Sequence, residues 1–212
     1  MYVFVKVVTE WVGAVFLLIV LAPVFVVFCV LVKSTSPGPI FFTTVRLGKN
    51  GKPFTMYKFR TMKVNAPPLV SADHKTIVHP NDERLTSIGG WMRRGFDELP
   101  QLLNIVLGHM SLIGPRPDAD WMLAKYTPTI RRRLVLRPGI TGLGQVLDSR
   151  GVLRTAEGYA VDGWYCEHVH LMLDLWIVWA TFLYVCGVQD IGRNRLSQIQ
   201  KSYDANLFEP LR

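Results

Sequence analysis

Residues 11–32 read WVGAVFLLIVLAPVFVVFCVLV, an uncharged run bracketed by Glu10 and Lys33. As a single helix it is about 33 Å long at roughly 1.5 Å per residue, enough to cross the hydrocarbon core of a bilayer. It is too long for a signal peptide, and no small-residue cleavage site follows it. Pro23 lacks a backbone donor, and its ring clashes with the Ile19 carbonyl, so a break is expected at Ala22-Pro23. Two architectures fit: a kinked transmembrane span, or a helix that enters one leaflet, bends at Pro23 and returns to the same face. Lys6 precedes the run, and Lys33, Arg46, Lys49 and Lys52 follow it. Basic residues on both flanks suit a segment whose two ends share one side. The heavier basic load lies downstream, so the body of the chain is expected in the cytoplasm.

The rest of the composition agrees with a membrane-associated protein. Half of the 212 residues are hydrophobic, and 19% are charged, less than a soluble domain of this size usually carries. A net charge of +8 points to anionic partners. Cys29, Cys166 and Cys186 have no paired spacing, which argues against a disulfide framework and a cysteine-rich zinc site. His168 and His170 form H-x-H without a third ligand at metal spacing. There is no Walker loop, no G-x-G-x-x-G and no internal repeat.

Beyond the apolar run, Pro37, Gly38 and Pro39 cannot continue a helix. Two β-rich runs then flank GKNGKP, whose Asn50-Gly51 is a strong hairpin signal. Residues 63–82 read as a polar loop, and 84–96 as a short helix weakened by Gly89-Gly90. A helix is expected over 99–107, with Pro100 in its first turn. GHMSLIGPRPD and RPGITGLGQV read as loops, while 119–136 and 155–170 read as helices. Residues 171–188 are apolar apart from Asp174. Together with Trp164, Trp176 and Trp179, they suit a helix at headgroup level. The fold class is therefore α/β and mostly helical: a membrane helix, one β-hairpin and amphipathic interfacial helices in one domain.

The chemistry concentrates in RRGFDELPQLLNIV, residues 93–106. Asp97 and Glu98 fall at the amino end of the expected helix, where the dipole tolerates anions. Helix capping alone would account for an isolated Asp-Glu pair. Neighbouring helical residues point about 100° apart, so the two carboxylates cannot face one another and suit separate tasks. One can attack phosphorus as a nucleophile. The other can hold Mg²⁺, which favours carboxylate and phosphate oxygens. Arg93, Arg94 and Arg116 are placed to grip phosphate. The run IRRRLVLR, ending at Arg137, suits lipid or substrate phosphate better than nucleic acid beside an apolar anchor.

Four segments carry a specific resemblance: STSPGPIFF, GKPFTMYKFRTM, DELPQLLNIVLGHMSLIGPRP and RPGITGLGQV. In this order they resemble the bacterial sugar transferases known as monotopic phosphoglycosyl transferases, over essentially residues 6–190. The resemblance implies transfer of a phosphosugar from a UDP-sugar to undecaprenyl phosphate, giving undecaprenyl-diphosphate-sugar and UMP. It further implies Mg²⁺, a covalent intermediate on Asp97 and a metal role for Glu98. Arg93, Arg116, Lys58 and Arg60 are implied at the substrate, as is Asp162, which matches an Asp-x-x-Tyr segment. Gln101 and Asn104 match polar family positions, although plain helix surface would equally account for them. The amino-terminal helix is implied to be re-entrant and broken at Ala22-Pro23.

Several positions depart from the family pattern. Ala22 replaces a serine at the break, Gly144 stands where tryptophan is common, and His109 where an acidic residue is common. The linker from Arg94 to Asp97 is one residue short, which touches the assignment of Arg93. The expected domains are a membrane helix over 1–36, a catalytic domain over 37–190 and a tail over 191–212. The expected location is the cytoplasmic face of the bacterial inner membrane, with phospholipid, UDP-sugar and undecaprenyl phosphate as partners, a homodimer open and nucleic acid not expected. A catalytically inactive membrane adapter of the same fold, and more remotely a membrane-tethered nucleic-acid binder, are the alternatives. The sequence does not name the sugar.

Overall fold

The apolar run forms two helices. The computed structural model describes residues 1–67, 69, 82–148, 155–188 and 191. Helix α1 spans Tyr2–Val20 and α2 spans Ala22–Thr35, with Leu21 between them at φ −87°, ψ 1° and Pro23 in the first turn of α2. Proline is tolerated there because first-turn N–H groups have no intrahelical partner. The Ile19 carbonyl is not orphaned, since a backbone N–H at the cap reaches it. By length and composition, α1 could cross a membrane.

Both helices dock on the body of the protein. Ala14 of α1 packs with Phe54, Met56, Leu102 and Ile105, and Phe28 and Val32 of α2 pack with Phe59 and Met92. The Trp11 indole donates to the Val106 carbonyl at 3.0 Å. The inner face of α1 also carries charge. Lys6 Nζ lies 2.7 Å from both Glu10 and Asp174. Asp174 further accepts from Tyr2 and Tyr165, while Glu10 accepts from Ser111 and from the backbone of Ile113. The sequence places Lys6 in water as a flanking charge, but it is only 6% exposed. A buried ammonium is tolerable here because two carboxylates satisfy it.

Strand β1, Phe41–Leu47, pairs antiparallel with β2, Pro53–Phe59. Their turn carries Asn50 and Gly51 at φ 58° and 74°, as the Asn-Gly signal requires. After β2 come α3 (Gly89–Met92), α4 (Gln101–Val106), β3 (Ser111–Ile113), α5 (Pro128–Arg131), β4 (Gly139–Thr141), α6 (Leu143–Leu147), α7 (Thr155–Glu167) and α8 (Leu171–Val185). Strands β3 and β4 pair in parallel, Ser111 with Gly139 and Ile113 with Thr141. They lie in segments expected to be loops; three-residue strands carry too little alternation to be read. Their crossing is glycine-lined. A Cβ on Gly139 or Gly142 would fall 2.1 Å or 2.0 Å from Gly114 backbone atoms, so no larger residue fits.

The expected helix over 119–136 is instead three short pieces, the 3-10 turns Asp120–Lys125 and Arg132–Leu134 on either side of α5. Pro128 restarts the chain, and the Thr127 hydroxyl caps α5. The Gly89-Gly90 pair opens α3 rather than weakening its middle. On α8, Leu171, Leu175, Val178, Phe182 and Val185 are exposed at three- and four-residue spacing, an apolar stripe opposite the buried Leu173, Asp174 and Ile177. His170 caps α8, accepting from the Leu173 N–H. Residues 68 and 70–81 of the expected polar loop, and the expected tail apart from Ile191, lie outside the described residues.

Candidate active site

Gly95, at φ +122°, turns the chain into a 3-10 turn over Phe96–Glu98. Pro100 then caps α4, which begins at Gln101 rather than at Leu99. This changes the electrostatic account of the dyad. Asp97 and Glu98 precede the cap, and a helix as short as α4 has a weak dipole. Cationic side chains stabilise the pair instead. Lys58, near the end of β2, places its ammonium 2.5 Å from Glu98 Oε1. Arg93 lies close enough for its charge to act on both carboxylates, and Arg116 acts on Glu98. The Arg93 guanidinium is itself steadied by Thr61 at 3.1 Å.

The two carboxyl groups are driven apart in proton affinity. Burial holds Asp97 above the usual carboxylate range; Lys58 and Arg93 pull it down only in part, and the Glu98 charge pushes it up. Burial also works against ionised Glu98, but Lys58, Arg116 and Arg93 outweigh it and leave that group below its ordinary value. Divergent environments for paired carboxylates commonly mark a division of labour. Asp97, 6% exposed, is a desolvated and therefore more reactive oxygen base. Glu98 is the anion paired with the Lys58 ammonium.

Among the described residues no group of three or more His, Cys, Asp or Glu side chains is placed to hold a metal. The donor set nevertheless suits Mg²⁺, which takes one or two protein carboxylates and completes its shell with substrate phosphates and water.

Arg116 stands on a buried shelf. Arg133, expected within a gripping basic run, points inward and is 3% exposed. It bonds Asp118 and Asp162 at 2.6 Å each, the Tyr126 hydroxyl at 2.8 Å and the Arg116 carbonyl at 2.5 Å. Asp162 also accepts from the Arg116 backbone. Both faces of the Arg116 peptide are thus held, leaving its side chain exposed. Asp162, expected at the substrate, lies buried beneath the loop and bonds Arg133 and the Arg116 backbone. Its carboxylate also occupies the space beside Gly144, where a Cβ would lie 2.8 Å from Oδ1. Arg133→Met should lower stability by about 3–5 kcal/mol, because two buried carboxylates lose their partner. Thermal unfolding in detergent checks this; a melting point within a degree or two of wild type would show that the network is dispensable.

Two other expected phosphate ligands are differently employed. The Arg60 guanidinium is committed to the Pro39 carbonyl (2.6 Å), both Ser36 oxygens (2.8 and 2.9 Å) and the Pro37 carbonyl (2.9 Å), so it clamps the exit from α2. Arg137 lies beside Gly108, at the end of α4 remote from the dyad, and borders a cleft with Lys6 and Lys49. Gln101 and Asn104 are buried rather than surface residues. The Asn104 amide accepts from Tyr57 N–H at 3.1 Å and donates to the Thr55 carbonyl at 2.7 Å, fastening α4 to β2. An edge strand leaves such groups unpaired, so an interior amide is well matched to them.

The sequence has counterparts among known proteins. The model of the family described as bacterial sugar transferase matches residues 1–187. The chain belongs to that family. It is 41% identical over 175 residues to exopolysaccharide production protein PSS of Rhizobium leguminosarum bv. phaseoli, covering 77% of this chain and 86% of that protein. It is 38% identical to the uncharacterized sugar transferase EpsL of Bacillus subtilis (strain 168), covering 80% and 81%. It is 37% identical to the UDP-glucose:undecaprenyl-phosphate glucose-1-phosphate transferase of Klebsiella pneumoniae, where 78% of this chain matches 36% of the longer protein. By name, one of these relatives serves exopolysaccharide production, one is a sugar transferase and one transfers glucose-1-phosphate to undecaprenyl phosphate.

Proposed function

We propose that this member of the family transfers a phosphosugar from a UDP-sugar to undecaprenyl phosphate through a covalent intermediate on Asp97. The observation that carries the reading is a buried, proton-avid carboxylate set beside an ionised one within a ring of Lys58, Arg93 and Arg116. An Asp97 oxygen attacks the sugar-bearing phosphorus. The bond from that phosphorus to the bridging oxygen breaks, and UMP leaves with that oxygen and the electron pair. A phosphate oxygen of undecaprenyl phosphate then attacks the same phosphorus, and Asp97 departs as a carboxylate. Arg93 and Arg116 bind the phosphoryl oxygens and offset charge that builds at phosphorus. Glu98 would hold Mg²⁺, which when bound would supply Lewis-acid stabilisation of the leaving group. The test is UMP release from a panel of UDP-sugars by the full chain in nanodiscs, with and without undecaprenyl phosphate. No UMP from any donor, with folded protein, favours an inactive adapter. The panel also names the sugar; the Klebsiella pneumoniae relative's name makes UDP-glucose the first to try.

The same reading places the chain on the cytoplasmic face of the inner membrane, with α1 and α2 entering one leaflet as a hairpin. Support comes from the ends of the hairpin. Lys6 is tied to Asp174, and Lys33 donates to the Gly38 carbonyl at 3.1 Å, so both flanks attach to one body. Phe16, Ile19, Val26 and Val27, around the bend, are more than half exposed. In a background without native cysteines, Phe4→Cys and Ser34→Cys should both resist a membrane-impermeant maleimide in intact cells and react after permeabilisation. Labelling of position 4 in intact cells would establish a straight span. Pro23→Ala removes a bias of about 3 kcal/mol against a continuous helix, but leaves both docked ends, so the protection pattern should persist.

A further inference from the structure

An aromatic surface adjoins the nucleophile. Phe96 immediately precedes Asp97 and stacks on Trp91, with ring centroids 4.7 Å apart and planes 20° apart. Phe28 of α2 lies behind the stack, 5.9 Å from Trp91 and 5.7 Å from Phe96, and it also meets Phe59 at 5.7 Å. Phe28 is buried, but Trp91 and Phe96 stay 46% and 38% exposed although both helices are docked. If these rings served only to seat α2, their outer faces would be covered. An apolar surface therefore runs from the hairpin to the residue next to Asp97, and Arg93 lies two positions from Trp91.

That pairing of cations and rings matches an amphiphile whose charge and apolar chain join with no spacer. A polyprenyl phosphate is such a molecule: its first isoprene unit starts at the phosphoester oxygen. A phosphate delivered to Asp97 brings that isoprene within a few ångströms of the reacting centre, where it needs an apolar surface. An ordinary phospholipid differs, since glycerol and two ester groups separate its phosphate from its acyl chains. Flat aromatic faces suit branched, planar alkene units, and the packed chain keeps water from the intermediate.

We propose that the Trp91–Phe96 stack, backed by Phe28, binds the phosphate-proximal isoprene units of the acceptor. This rests on the reading of the acceptor as undecaprenyl phosphate and adds the residues that select its chain. Two measurements test it on the full chain in nanodiscs. In steady state, Trp91→Ala should raise the KM for undecaprenyl phosphate about tenfold while the KM for the UDP-sugar holds, and Trp91→Phe should restore most of the loss, as expected for a lost ring contact. In the second, a polyprenyl phosphate carrying a diazirine in its first isoprene unit is photo-crosslinked and the adduct mapped by mass spectrometry. The label should fall on Trp91, Phe96 or Phe28 and be displaced by undecaprenyl phosphate but not by phosphatidylglycerol. Label confined to the hairpin bend around Phe16 and Ile19, or displaced equally by phosphatidylglycerol, would overturn the proposal and assign the rings to bulk lipid. A parallel rise in both KM values would also overturn it. The crosslink needs no turnover, so an enzyme that fails to release UMP refutes the proposed function while the label still reports on the subsite.

Discussion

Asp97→Asn should abolish turnover, by about 10⁴-fold or more, as loss of a covalent nucleophile does. The substitution keeps the shape of the side chain and removes the attacking oxygen anion. Intact-protein mass spectrometry after incubation with UDP-sugar alone should show a phosphosugar adduct on wild type and none on the variant. Stability should move the other way. The carboxyl at position 97 has a raised proton affinity in the fold because burial disfavours its charge. A group with a raised folded-state pKa contributes its stability below its unfolded value, and that contribution is lost as pH rises through the folded value. Above the folded value the charged Asp97 therefore costs stability, and asparagine escapes that cost. The variant should melt no lower than wild type, which separates lost chemistry from lost folding. A wild type that turns over yet never labels, under conditions that trap the intermediate, would instead indicate direct transfer between the two substrates.

What the sequence made legible was local. The Asn50-Gly51 turn, the break beside Pro23 and the DELP segment each declare themselves within a few residues, because backbone chemistry or adjacent charges specify them. The supporting structure was not legible for the opposite reason. Lys6 finds Asp174 at a separation of 168 residues, and Arg133 finds Asp162 at 29. A lone arginine in a basic run gives no sign that it turns inward, so Arg133 read with the rest of the run as a phosphate grip. The bonds of Arg60 to residues 36–39 were not legible because a guanidinium suits carbonyl oxygens as well as phosphate, and only the course of those residues brings the carbonyls to it. Asn104 had one available signal, an amide within an apolar helix segment, which asks for a buried partner. Strands β3 and β4 were hidden by brevity, although the glycines at 114, 139 and 142 hinted at close backbone approach.

Glu98→Gln should lower activity by about 10²–10³-fold, the usual cost of removing one preorganised electrostatic group. Two effects combine in that figure. The variant loses the anion that would hold Mg²⁺ against the donor diphosphate, so more Mg²⁺ should be needed for half-maximal rate. It also releases Lys58, whose ammonium now sits 2.5 Å from Glu98. The nearest remaining carboxylate under that charge is Asp97, on which Lys58 already acts. A lysine drawn to Asp97 would blunt its nucleophilicity by stabilising the resting anion. A double-mutant cycle separates the two effects, since residues sharing one partner do not add. If Glu98 serves mainly to restrain Lys58, Lys58→Met in the Glu98→Gln background should recover activity. If Glu98 is chiefly a metal ligand, the double variant should be no better than the single one and should keep the raised Mg²⁺ requirement. Full wild-type activity in EDTA would eliminate the metal role altogether and leave Lys58 as the cation that Glu98 was placed to hold.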